Sequence, residues 1–235
     1  ATGAPHGMRV LSPWTCATPR CASNRDFSLP LGYYVVMRGW SIPELLNVLA
    51  KGWTELQAAV AHGNHDLVLT LLKGGGHSLS DASKPYQASL LHLAVYSGNL
   101  AILEALLASR SADLPPSRAD CFGRTALCYA ACKEEVEMTR RLLHFGCESD
   151  VQDRDGRTAL HIAAAMGHVS LIRVLLEARA NPSLVDVQFN SPLHYAALEA
   201  RELALGELLT CEALRAALRS PNAAELLPLH LSASA

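Results

Sequence analysis

The sequence has no surplus of either charge: 20 lysines and arginines stand against 22 aspartates and glutamates in 235 residues, a formal net charge of −2. That balance leaves no electrostatic footprint for nucleic acid or for an anionic membrane surface. There is no long hydrophobic run either. The longest candidate, residues 29–37 (LPLGYYVVM), contains a proline and a glycine and falls far short of the ~18 apolar residues a membrane helix needs. Met8 is not followed by the apolar stretch of a signal peptide. No Cys-x-x-Cys pair occurs among the seven cysteines, Cys16, Cys21, Cys121, Cys128, Cys132, Cys147 and Cys211. Cys128 and Cys132 share a helix face at a spacing of four but lack a second pair at zinc-site spacing. These read as reduced structural thiols, which points to the cytoplasm, the nucleus or both. With 50% hydrophobic and 18% charged residues, the chain can bury a sizeable core and does not have a disordered composition.

What is present is a repeat. Five strings align: residues 54–64 (TELQAAVAHGN), 89–99 (SLLHLAVYSGN), 125–135 (TALCYAACKEE), 158–168 (TALHIAAAMGH) and 191–201 (SPLHYAALEAR), with starts 35, 36, 33 and 33 residues apart. Leu56, Leu91, Leu127, Leu160 and Leu193 hold one position, and Ala59, Ala94, Ala130, Ala163 and Ala196 another. A pair of leucines closes every unit, from Leu71-Leu72 to Leu208-Leu209. In each unit Thr or Ser opens a helix as its cap, and Pro192 lies just after its cap, where a missing N–H does no harm. Leu and Ala fall on one face of that helix. Gly63, Gly98 and Gly167 end it with a left-handed turn, and a second helix follows with an apolar stripe such as Leu171, Ile172, Leu175 and Leu176. Glu134 and Ala200 stand where the turn glycine belongs in the third and fifth units, so Glu134→Gly should stabilise the array.

These units resemble ankyrin repeats, which have a period of 33 and a T-P-L-H-x-A signature. Residues 155–183 follow that pattern closely, the fifth unit keeps SPLHYAA, and the first two are looser. The likeness spans roughly residues 53–209 and implies an all-α solenoid of stacked helix-turn-helix units with short β-turn loops. The linkers after units 1 and 2 exceed the family length by two and three residues and should bulge within 78–86 and 111–118. Residues 1–40 read as irregular or disordered. Residues 41–52 read as a capping helix, with Ser41 as N-cap, Pro43 early and Glu44 three after the cap. Residues 53–210 form the five repeats, and 211–235 a C-terminal cap or a sixth repeat cut off at Ala235. In that last segment, 211–219 reads as a helix and Leu227-Pro228-Leu229-His230 matches a repeat start 36 residues after Ser191.

Candidates for chemistry dissolve on inspection. The run Lys73-Gly74-Gly75-Gly76-His77-Ser78 follows a helix and has no Lys-Ser pair, so it is not a phosphate loop. No serine stands in a nucleophile elbow. His92, His161 and His194 recur one per unit, too far apart to share a metal. The resemblance instead implies that they tie the neighbouring loop to the Thr or Ser cap. The reading is no enzyme, no cofactor, no metal and no small-molecule substrate.

The resemblance implies a protein–protein interaction module, an adaptor or scaffold, that meets a partner protein through loop tips and the adjoining concave face. The alternative is the targeting or regulatory domain of a larger enzyme or channel. By position the tips are Phe122 and Arg124 in unit 3, Arg154, Asp155 and Arg157 in unit 4, and Gln188, Phe189 and Asn190 in unit 5. Tyr129, Lys133, Met166, Tyr195 and Glu199 adjoin them on the inner face. Arg and aromatic side chains are the types that anchor interfaces. Arg124 and Arg157 also fit a role bracing adjacent loops, Phe122 and Phe189 also fit a place tucked against a neighbouring repeat, and Asp120, Asp153 and Asp186, recurring at 33-residue steps, read as turn-stabilising.

Overall fold

A computed structural model of the chain describes residues 53–75, 78–82, 87–109, 114–211, 218 and 220–228. The expected capping helix at 41–52 and nearly all of the expected helix at 211–219 lie outside these. The described residues form ten helices in five antiparallel pairs: α1 (Glu55–Ala61) with α2 (His65–Gly74), α3 (Leu90–Ser97) with α4 (Leu100–Ala108), α5 (Ala126–Lys133) with α6 (Val136–His144), α7 (Ala159–Met166) with α8 (Val169–Glu177), and α9 (Pro192–Leu198) with α10 (Glu202–Leu208). Thr54, Ser89, Thr125, Thr158 and Ser191 are the N-caps of the five first helices, as their spacing predicts.

First helices stack in one row, α1 on α3 on α5 on α7 on α9, and second helices in a parallel row from α2 to α10. The repeated alanines make the first row possible. Ala94, Ala130, Ala163 and Ala196 have no exposed surface, and a larger side chain there would push neighbouring units apart. Leucines fill the space between the rows: Leu91, Leu103, Leu142, Leu171, Leu175, Leu193 and Leu208 are wholly buried. Ion pairs cross the outer side of the second row, Arg141–Glu104 at 3.0 Å, Arg140–Glu177 at 3.4 Å and Arg173–Glu207 at 2.8 Å. Their side chains are mostly about half exposed, so each contributes little.

Glu134 and Ala200 adopt φ of +59° and +51°, beside +71°, +70° and +81° for Gly63, Gly98 and Gly167. The missing glycines thus leave left-handed residues behind rather than a different turn. The two long linkers meet: Arg118 Nη1 donates to the Ser80 carbonyl at 2.6 Å, and the Pro115-Pro116 segment turns back with Arg118 N donating to the Pro115 carbonyl.

Candidate functional site: the row of loop tips

The tips of units 3, 4 and 5 are each built on one buried acid. Asp120 Oδ1 accepts from the backbone N–H of Phe122 at 2.8 Å and of Arg124 at 2.9 Å. Its Oδ2 accepts from Arg124 Nε at 3.1 Å, Arg124 Nη2 at 3.0 Å and Tyr129 Oη at 2.8 Å. Asp153 repeats this with the N–H groups of Asp155 and Arg157 and with the Arg157 guanidinium at 3.0 and 2.9 Å. Asp186 does so with Gln188, Asn190 and Tyr195 Oη. Asp120, Asp153 and Asp186 are therefore the turn-stabilising residues, and a carboxylate so fully hydrogen-bonded tolerates burial that would otherwise be costly.

The tips are also joined to one another. Arg154 N donates to the Phe122 carbonyl at 2.9 Å, Val187 N to that of Asp155 at 3.0 Å, and Ala223 N to that of Gln188 at 2.9 Å. The last bond reaches a sixth tip. There Asn222 Oδ1 accepts from the N–H groups of Ala224 and Leu226, both at 3.0 Å, in the manner of the three aspartates. Helix resumes at Pro228, so residues 222–228 have the geometry of a further repeat start.

Histidines lock tips to helices. Ser89 N donates to His92 Nδ1 at 3.0 Å, and His92 Nε2 lies 2.9 Å from the Arg124 carbonyl in the next unit. His161 links Thr158 to the Asn190 carbonyl in the same way. Since Nδ1 accepts a backbone N–H, the proton belongs on Nε2 and the ring is neutral. Burial pushes the pKa of His92 down and that of His161 to about 4, against the raising effect of the carbonyl contacts. In unit 1 Gln57 takes this role, with Oε1 accepting from Thr54 N and Nε2 donating to the Asp81 carbonyl, both at 3.0 Å. In unit 3 Cys128 stands at the histidine position, and its Sγ accepts from Thr125 Oγ1 at 3.7 Å.

Burial sorts the eleven residues expected at the partner surface. Four belong to the scaffold and correct that expectation. Arg124 and Arg157 are 6% and 7% exposed because each is folded back onto its tip aspartate. Tyr129 and Tyr195 are buried because their hydroxyls bond Asp120 and Asp186 while their rings meet His92 and His161 edge-on. Phe122 is half-buried, with the Arg124 guanidinium 4.5 Å above its ring. Asn190 is partly buried and spans Asp186 and Asn222, Asp155 is partly buried and pairs with Arg157 at 2.6 Å, and Met166 is half-buried. Arg154, Gln188 and Phe189 are exposed.

The sequence reading missed Val185, Val187 and Leu226. With Phe189 they are four of the six large apolar residues exposed among the described residues. The signal was visible in LVDVQFN, an apolar run across a turn. Phe189 is the most unusual of them. It sits where Gly123 and Gly156 stand in the preceding tips, and it keeps their left-handed backbone at φ +59° beside +80° and +81°.

A family model of ankyrin repeats in three copies matches residues 34–116, 91–186 and 133–219. The chain belongs to the ankyrin-repeat family. Proteins of this family are generally protein–protein interaction modules and typically not catalysts. No curated protein matches the chain. Among the described residues no cluster of His, Cys, Asp and Glu could hold a metal. No described helix is long and apolar enough to cross a membrane.

Proposed function

We propose that this chain is an adaptor that holds a partner protein against the tips of units 4 to 6 and the adjoining ends of the first helices. The observation that carries this reading is the contrast within the tips. The polar groups around Asp153, Asp186 and Asn222 are satisfied within the tips, yet Val187 is 66% and Phe189 61% exposed on that frame. A pre-ordered surface loses little entropy on binding, and aromatic and apolar anchors supply most interface energy. A cytosolic or nuclear setting is proposed with it, supported by five free cysteines among the described residues, two of whose thiols, Cys132 and Cys147, burial pushes to about 12.

The test is retention of proteins from a cell lysate by the chain, by a tip variant (Val187→Asp, Gln188→Lys, Leu226→Asp) and by a second-row variant (Arg140→Glu, Arg173→Glu). Arg157→Glu does not serve as a tip change, because it would break a buried ion pair. Proteins held by the chain and the second-row variant but lost by the tip variant support the reading. Equal retention by the tip variant contradicts it.

A further inference from the structure

The place of Phe189 needs a reason beyond folding. A Cβ on Gly156 would come within 2.9 Å of Asp186 Cα and Val187 N, and one on Gly123 within 3.0 Å of Arg154 N. Glycine thus suits this tip position both by its backbone freedom and by the closeness of the next tip. Unit 5 carries the bulkiest of departures there, keeps the left-handed backbone, and leaves the ring 61% exposed. The substitution destabilises the tip and recovers little by burial, which is the pattern of strain held at a binding position.

The surroundings give the ring a context. Val185, Val187 and Leu226 extend the apolar surface over the fifth and sixth tips. On one side, in tip 4, the exposed Arg154 forms no ion pair with a described residue, since Asp155 is engaged by Arg157. On the other side, in tip 6, the exposed Glu225 likewise has no ion-pair partner among the described residues. Cation, apolar surface and anion therefore follow one another along the row of tips.

Resting on the adaptor reading above, we propose that tips 4 to 6 form a polar-ended docking site for an extended segment of a partner protein. That segment carries an acidic residue over Arg154, an aromatic or branched aliphatic residue against Phe189 and Val187, and a basic residue towards Glu225. The opposite charges at the two ends fix which charged residue of the segment lies over which tip, and Phe189 is the specificity anchor.

The experiment is selection of a random peptide library displayed on phage against the full chain, followed by affinity measurements on Phe189→Gly, Phe189→Tyr and Arg154→Glu. The expected peptides carry acidic, apolar and basic residues in that order or its reverse. Phe189→Gly should weaken them at least tenfold while raising the melting temperature by about 2–4 °C, and Phe189→Tyr should keep most of the affinity. Arg154→Glu should weaken them at least tenfold, and exchanging the peptide's acid for lysine should restore binding to that variant. Selected peptides that bind Phe189→Gly and Arg154→Glu unchanged overturn the proposal, as does a selection that enriches none. If lysate proteins are still lost on the Val187, Gln188 and Leu226 variant in either case, the broader tip reading stands and only this docking mode falls.

Discussion

Arg154 and Arg157 lie three residues apart on one tip, and burial makes them different in kind. Arg157 closes a pair with Asp153 whose side chains are 8% and 2% exposed, so removing its guanidinium strands a buried carboxylate. Arg157→Ala should cost about 3–5 kcal/mol, whereas Arg154→Ala should stay within about 0.5 kcal/mol. Urea unfolding of the two variants checks this, and similar midpoints would refute the assignment. At Glu134 the left-handed backbone favours glycine by on the order of 1 kcal/mol. The lost contact between Glu134 and His168 Nδ1, 3.3 Å apart, partly offsets that gain. Glu134→Gly should still melt higher than the parent; a lower melt would mean the pair outweighs the strain.

At the scale of elements, the histidine staples make the array acid-sensitive. The folded value of about 4 for His161 lies below the 6.5 of an unfolded chain, so the unfolded state binds more protons between those values. The stability its neutral ring gives is full above pH 6.5 and is lost as pH falls towards 4, at up to about 1.4 kcal/mol per pH unit. His161→Gln should lessen this loss, because Gln57 shows that glutamine can make both contacts. Urea unfolding near neutral and mildly acidic pH measures the difference; an unchanged pH dependence would exclude the staple as its source. The helix pairs, their caps and the left-handed turns at Glu134 and Ala200 were legible in the sequence because each depends on near neighbours at fixed spacing. The roles of Arg124, Arg157, Tyr129 and Tyr195 were not, because spacing marks a residue as part of a tip without saying whether its side chain turns outward or back onto the aspartate.

Across the whole molecule, each unit contacts chiefly its neighbours, so stability is a sum of units and interfaces. Gly156 marks one such interface, where an added methyl would collide with the backbone of the next tip. Gly156→Ala should cost at least about 1 kcal/mol and, by weakening the joint between units 4 and 5, broaden or split the unfolding transition. A calorimetric scan as sharp as the parent's would show that this joint does not limit cooperativity. The apolar tips at Val187 and Leu226 escaped sequence reading for a related reason. The run LVDVQFN marks an apolar turn, but an apolar residue in a repeat is buried by default, and the assembled stack shows which ones no neighbour covers. The most direct test of the whole account is hydroxyl-radical footprinting of the chain alone and bound to a protein it retains. Labelling of Val187, Phe189 and Leu226 should fall on binding, while Leu203, 80% exposed on α10, should label equally in both. Protection of Leu203 with the three tip residues unchanged would contradict the tip-binding account.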